Sequence, residues 1–152
     1  LWSDTERDDS AFVLIDTAPA FMTTGAQAIS AKKISPEKYF WLLGHRSVPI
    51  VSARPWEPGT YLPGGELAET YAAINKIYNR VISKMKRLRL TEEGKHTLWL
   101  DENNIPSVVW AFKETSMPFT GQCHDVLDKE THEIKGTMIL KPGHVYELSP
   151  EK

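Results

Sequence analysis

The sequence predicts an α+β fold: one long amphipathic helix packed on a C-terminal antiparallel β-meander, after an irregular N-terminal part of short strands and helices. Three observations carry this. Leu67, Tyr71, Ile74, Tyr78, Val81, Met85 and Leu88 follow one another at alternating spacings of four and three, the row that one face of an α-helix presents. After Gly94 the apolar period falls to two, that of a strand with unlike faces. Between these regimes and the N-terminal part lies Pro55 to Gly65, with three prolines and three glycines, a loop by composition.

Taken in order, Leu1 to Ser10 is acidic and reads as a loosely attached terminus. Ala11-Phe12-Val13-Leu14-Ile15 predicts a short buried strand ahead of Asp16. Thr24 to Lys33 predicts a short helix. Ser35-Pro36-Glu37 offers a capping hydroxyl, a proline at the first helical position and an acid in the first turn. The aromatic run that follows, closed by Gly44, completes a two-turn helix; a buried strand over the same run is the alternative. Arg46 to Ala53 predicts a strand that Pro49 confines to a sheet edge.

The long helix is predicted over Glu66 to Leu90, ~37 Å at ~1.5 Å per residue. Ile77 and Ile82 flank its apolar row on opposite sides. A stripe this broad suits packing within the domain better than the narrow seam of a coiled coil. Five strands are then predicted: His96–Asp101, Ile105–Glu114, Phe119–Asp128, His132–Leu140 and His144–Leu148, separated by turn-forming residues. A helix followed by an antiparallel meander is similar in its order of elements to cystatin-like and NTF2-like folds, a likeness of architecture that implies no activity. One domain over residues 1–152 is expected.

Composition narrows the function classes. With 41% hydrophobic and 25% charged residues, the chain reads as an ordinary globular protein. Eighteen basic and 20 acidic residues, net −2, argue against a surface given over to nucleic acid or anionic membrane. The single Cys123 excludes an internal disulfide and a thiolate metal cluster. No apolar run approaches the ~20 residues of a membrane span. Localisation is left open, a start at Leu1 being compatible with a removed signal or anchor.

Four sets of residues are candidates for chemistry or contact. In Gly121-Gln122-Cys123-His124 a thiol adjoins an imidazole, but neighbours on a strand point to opposite faces. A turn at Lys129-Glu130 would set Cys123 against Gly136 and place His132 and His144 each about four residues, roughly 13 Å, from the cysteine. A catalytic base is therefore not expected at the thiol. His124, His132, His144, Asp125 and Glu133 supply ligand types for a metal, but none stands at a spacing that pairs two of them. No metal, cofactor or catalytic residue is assigned. The basic end of the long helix (Lys76, Arg80, Lys84, Lys86, Arg87, Arg89) suits its macrodipole and offers a place for an anionic partner. The loop Arg54 to Leu62 holds Trp56 and Tyr61 between prolines, and aromatics restrained in this way suit a contact surface.

The expectation is a non-catalytic interaction or structural domain: a subunit of a larger assembly, or an immunity- or accessory-type protein binding another protein. Its contact residues are Arg54, Trp56, Tyr61, Arg80, Lys84 and Arg87. The alternatives are a small cysteine-dependent hydrolase using Cys123 with a histidine, and a small-ligand-binding helix-on-sheet domain.

Overall fold

The row of apolar residues that predicts a helix to Leu90 is broken at Val81. In the computed structural model, which describes residues 2–4, 28–31, 35–46, 48–51, 68–91 and 94–151, helix α2 spans Ala68–Val81. One 3₁₀ turn, Ile82–Lys84, follows, and Arg87–Leu90 is a strand, β4. The reason is visible in Arg87-Leu88-Arg89-Leu90, where exposed arginines alternate with half-buried leucines. Leu88 satisfies the helical row and the strand alternation equally, and pairing of β4 with β5 (His96–Leu100) decides for the strand. The fold is mixed α+β, with two helices among the described residues.

The chain divides into two compact units, residues 1–76 and 77–152. In the first, β1 (Trp2–Asp4), β2 (Ala28–Ala31) and β3 (Val48–Val51) form a parallel sheet in that order. β2 replaces part of the helix expected over Thr24 to Lys33. It has a neighbour on each side, and such pairing overrides a weak local preference. β3 lies at the edge of this sheet, where Pro49 is tolerated. The strand expected at Ala11 to Ile15 lies outside the described residues.

Helix α1 (Pro36–Gly44) links β2 to β3 and settles the 35–44 alternative as a helix. Ser35 Oγ accepts from Lys38 N at 3.2 Å, and Pro36 opens the first turn. Phe40, Leu42 and Leu43 are buried. At the C-terminus the His45 amide donates to Leu42 O, and Nδ1–H of its ring donates to Trp41 O at 2.8 Å. Burial drives the His45 pKa down to about 3, so the ring is neutral at physiological pH. Tyr39 stacks edge-on to Tyr71 at 4.7 Å and donates to Asn75 Oδ1, fastening α1 to the first turns of α2.

The second unit is a six-stranded antiparallel sheet ordered β4-β5-β6-β9-β7-β8. Here β6 is Pro106–Ala111, β7 Thr115–Asp125, β8 Glu130–Leu140 and β9 Val145–Pro150. All five strands expected after Gly94 are present within a few residues, but they are not a meander. β9 inserts between β6 and β7, pairing Val108–Trp110 on one side and Gly121–Asp125 on the other. The short link Phe112–Glu114 turns the chain from β6 without making β7 its neighbour.

The sheet is buried on both faces at β5 and β6, whereas β7 buries one face and exposes the other. On one face Leu98, Val109, Ala111, Met117, Phe119, Cys123, Met138, Leu140, Tyr146 and Leu148 form a single core cluster. Its described members all come from strands. On the other face Trp99, Val108, Trp110 and Val145 are fully buried. There Tyr78 lies 6.4 Å from Trp110, ring to ring, and Val81 and Met85 are also inaccessible. Gly121 permits the close approach of β7 and β9: a Cβ there would clash with Ser149 O.

Candidate functional site

The predicted contact residues separate into two groups. Arg54, Trp56 and Tyr61 lie outside the described residues. Arg80 and Lys84, in the last turn of α2 and the 3₁₀ turn, converge on one carboxylate, Glu147 of β9, each with a contact of 2.8 Å. Burial alone would favour neutral Glu147, but the hydrogen bonds and charges of Arg80 and Lys84 outweigh it and lower its pKa. Arg87 sits on β4, not on a helix, and donates to Asn104 Oδ1 at 2.8 Å.

This carboxylate lies in an open groove of about 710 Å³. Lys84 and Lys86 contribute cations, Asp101 and Glu102 acids, and Gln122, His124, Thr131 and Ser149 the polar side of β7, β8 and β9. Two devices order the groove: His124 Nδ1 lies 2.9 Å from Thr131 Oγ1, and Ser107 Oγ donates to Lys84 O at 2.7 Å. The strand side of the groove follows from alternation, since Gln122, His124, Thr131, Glu147 and Ser149 project from the face opposite Cys123.

The β7–β8 register differs from the expected one. The connection is the four residues Val126–Lys129, not a turn at Lys129-Glu130, so Cys123 stands opposite His132, not Gly136. Asp125 Oδ1 accepts from the amides of Leu127 and Asp128, and Lys129 closes the turn at φ +60°. This is an aspartate turn, which adds two residues to the loop and slides the register. The His132 imidazole pairs with Glu130 at 3.2 Å in the open. Cys123 is 2% exposed, and burial, with the charge of Asp125, pushes its thiol up to about 11. The thiol is thus protonated at neutral pH. Labelling of Cys123 by a thiol reagent is expected to be slow at about pH 7 and to climb steadily toward the raised pKa. A plateau reached below about pH 7 would reveal an activated thiolate instead.

The same turn assembles a cluster that residue spacing did not reveal. His144, ahead of β9, reaches Asp125 Oδ2 at 2.8 Å and lies 4.0 Å from Asp128 Oδ2. Lys141 Nζ contacts the Asp128 oxygen at 3.2 Å, and the rings of His144 and Tyr146 stack at 6.2 Å. Asp125 is 3% exposed, a buried carboxylate that hydrogen bonds must satisfy. Asp125-Val126-Leu127-Asp128 carried the available signal: an aspartate that starts a turn brings the residue three places on back beside it. Approach of His144 depends on the β7–β9 pairing, and nothing local encodes that. No protein-family model, curated protein or solved structure matches the chain. Among the described residues no helix is long and apolar enough to cross a membrane.

Proposed function

We propose that the chain is a non-catalytic domain that binds another protein. Its contact residues are Arg54, Trp56 and Tyr61 in the Pro-rich loop, and Arg80, Lys84 and Arg87 around the end of α2. In this reading the last turn of α2 rests on the six-stranded sheet, as the Tyr78–Trp110 contact suggests, and presents its cations beside the groove. The partner is acidic at the point of contact.

The observation that carries the reading is the sharing of Glu147. Arg80 and Lys84 take one carboxylate between them, so this trio keeps a positive charge in excess and holds both cations in place. Lys86 adds to it in the same groove. Cations fixed in advance lose less freedom on meeting an anionic surface. The groove is open and mixed in charge, which suits an extended polypeptide better than an enclosed small ligand. The protonated Cys123 lends no nucleophile to a hydrolase.

The test uses Lys86→Glu with Arg87→Glu, which leaves the Glu147 trio intact. With the partner recovered by cross-linking from the native source, the double variant should bind about tenfold more weakly, about 1.4 kcal/mol, at an unchanged melting temperature. Undiminished affinity would remove the basic surface from the interface.

A further inference from the structure

One oxygen from each of Asp125 and Asp128 and one nitrogen of His144 lie within 4.8 Å of one another. They come from the end of β7, the turn after it and the turn before β9, so the fold itself brings them together. Asp125 Oδ1 is committed to two backbone amides, which directs Oδ2 at the cluster. An imidazole nitrogen and a carboxylate oxygen 2.8 Å apart must share a proton, because each is otherwise an acceptor. Asp128 Oδ2 is held by the Lys141 ammonium. Each carboxylate thus has its own partner, the His144 ring for Asp125 and the Lys141 ammonium for Asp128, at a place where one doubly charged ion could serve both.

We propose that Asp125 Oδ2, Asp128 Oδ2 and His144 Nδ1 form a binding site for a divalent transition-metal ion of the Zn²⁺ type. One imidazole and two carboxylates suit such an ion; Ca²⁺ prefers six to eight oxygens. With bonds of ~2.0–2.1 Å around a tetrahedral ion, neighbouring ligand atoms stand roughly 3.3 Å apart. The 2.8 Å contact must open by about half an ångström and the 4.0 Å separation close by somewhat more. On binding, His144 gives up its Nδ1 proton to water and ligates as the neutral Nε2–H tautomer: an imidazolium already holds that Nε2 proton, and a neutral Nδ1–H ring takes one there from water, with no net release. The Lys141 ammonium swings out to solvent. Stacking on Tyr146 keeps the imidazole plane in place. Three protein ligands leave a fourth position for water or for a side chain of a bound protein.

Zn²⁺ is the probe, followed by calorimetric titration and thermal melting of the full chain, with Co²⁺ for its visible spectrum. Zn²⁺ should raise the melting temperature, and Co²⁺ should show the intense bands of a four-coordinate site. His144→Ala should weaken Zn²⁺ binding at least tenfold. Lys141→Gln should tighten it, because no ammonium then competes for Asp128. His144→Ala also strips a buried carboxylate of its partner and can fail to fold, so Lys141→Gln, on an exposed side chain, decides the matter by itself. Incidental binding at the exposed His132–Glu130 pair would be indifferent to Lys141. The proposal is overturned by a melting temperature that Zn²⁺ leaves unchanged, or by an affinity that Lys141→Gln leaves unchanged or lowers.

Discussion

Trp110→Ala should cost about 3–5 kcal/mol of stability, the range for truncating a large aromatic in a core. Trp110 is completely buried on β6, a strand held between β5 and β9. It shares its face with Val145, its partner on β9, and with the Tyr78 ring. Strands on both sides and core on both faces leave little room for collapse, so the cavity would persist. A domain is typically stable by about 5–15 kcal/mol, so this one change removes a large share. Urea unfolding should show a much lower midpoint at an unchanged slope, and Trp110→Phe should recover most of the loss. A cost below about 1 kcal/mol would mean that Trp110 is not sealed in this way.

Gly121→Ala should be nearly as damaging, by about 2–4 kcal/mol, through strain and not through lost burial. The added Cβ would clash with Ser149 O and stand 2.7 Å from Pro150 Cα and 2.8 Å from Glu151 N. All three are backbone atoms and have no rotamer to escape into. Gly121 also has φ +141°, where an L side chain is disfavoured. Gly136→Ala is the control: φ is +94° there too, but nothing lies within 4 Å of the new Cβ. The expected order of loss is Gly121 well above Gly136, with hydrogen exchange at the Gln122–Ser149 and Cys123–Leu148 pairs rising first in Gly121→Ala. Equal losses would leave backbone conformation as the whole effect and the close approach of β7 and β9 without consequence.

The elements legible in the sequence are those that local chemistry fixes. Ser35-Pro36 sets the start of α1 because the cap and the proline act within one turn. The strands after Gly94 are legible because residues such as Phe119 and Cys123 alternate with exposed ones, although β7 begins at Thr115, four residues before the expected start. What was missed depends on distant partners. Leu88 fits either a helix or a strand, and only β5 decides. The place of β9 follows from pairing with β6 and β7, which no local spacing records. The Asp125 turn moved the register by two bonds to backbone amides, and with it the position of His132. His144 meets Asp125 across 19 residues of chain, and so the cluster with the densest chemistry was the one least visible beforehand.

Association kinetics test the central claim, that the basic end of α2 and β4 meets an acidic protein, most directly. Binding of the cross-linked partner is followed across a series of NaCl concentrations for the unaltered chain, for Lys86→Glu with Arg87→Glu, and for Trp56→Ala. Attraction between exposed charges is screened over a Debye length of ~8–10 Å near physiological salt and far less at low salt. The unaltered chain should therefore associate fastest at low salt and slow steeply as salt rises. The charge-reversed chain should start slower and respond weakly to salt, while Trp56→Ala should act on dissociation and leave the salt slope unchanged. Equal association rates and equal salt slopes for the unaltered and charge-reversed chains would contradict the account.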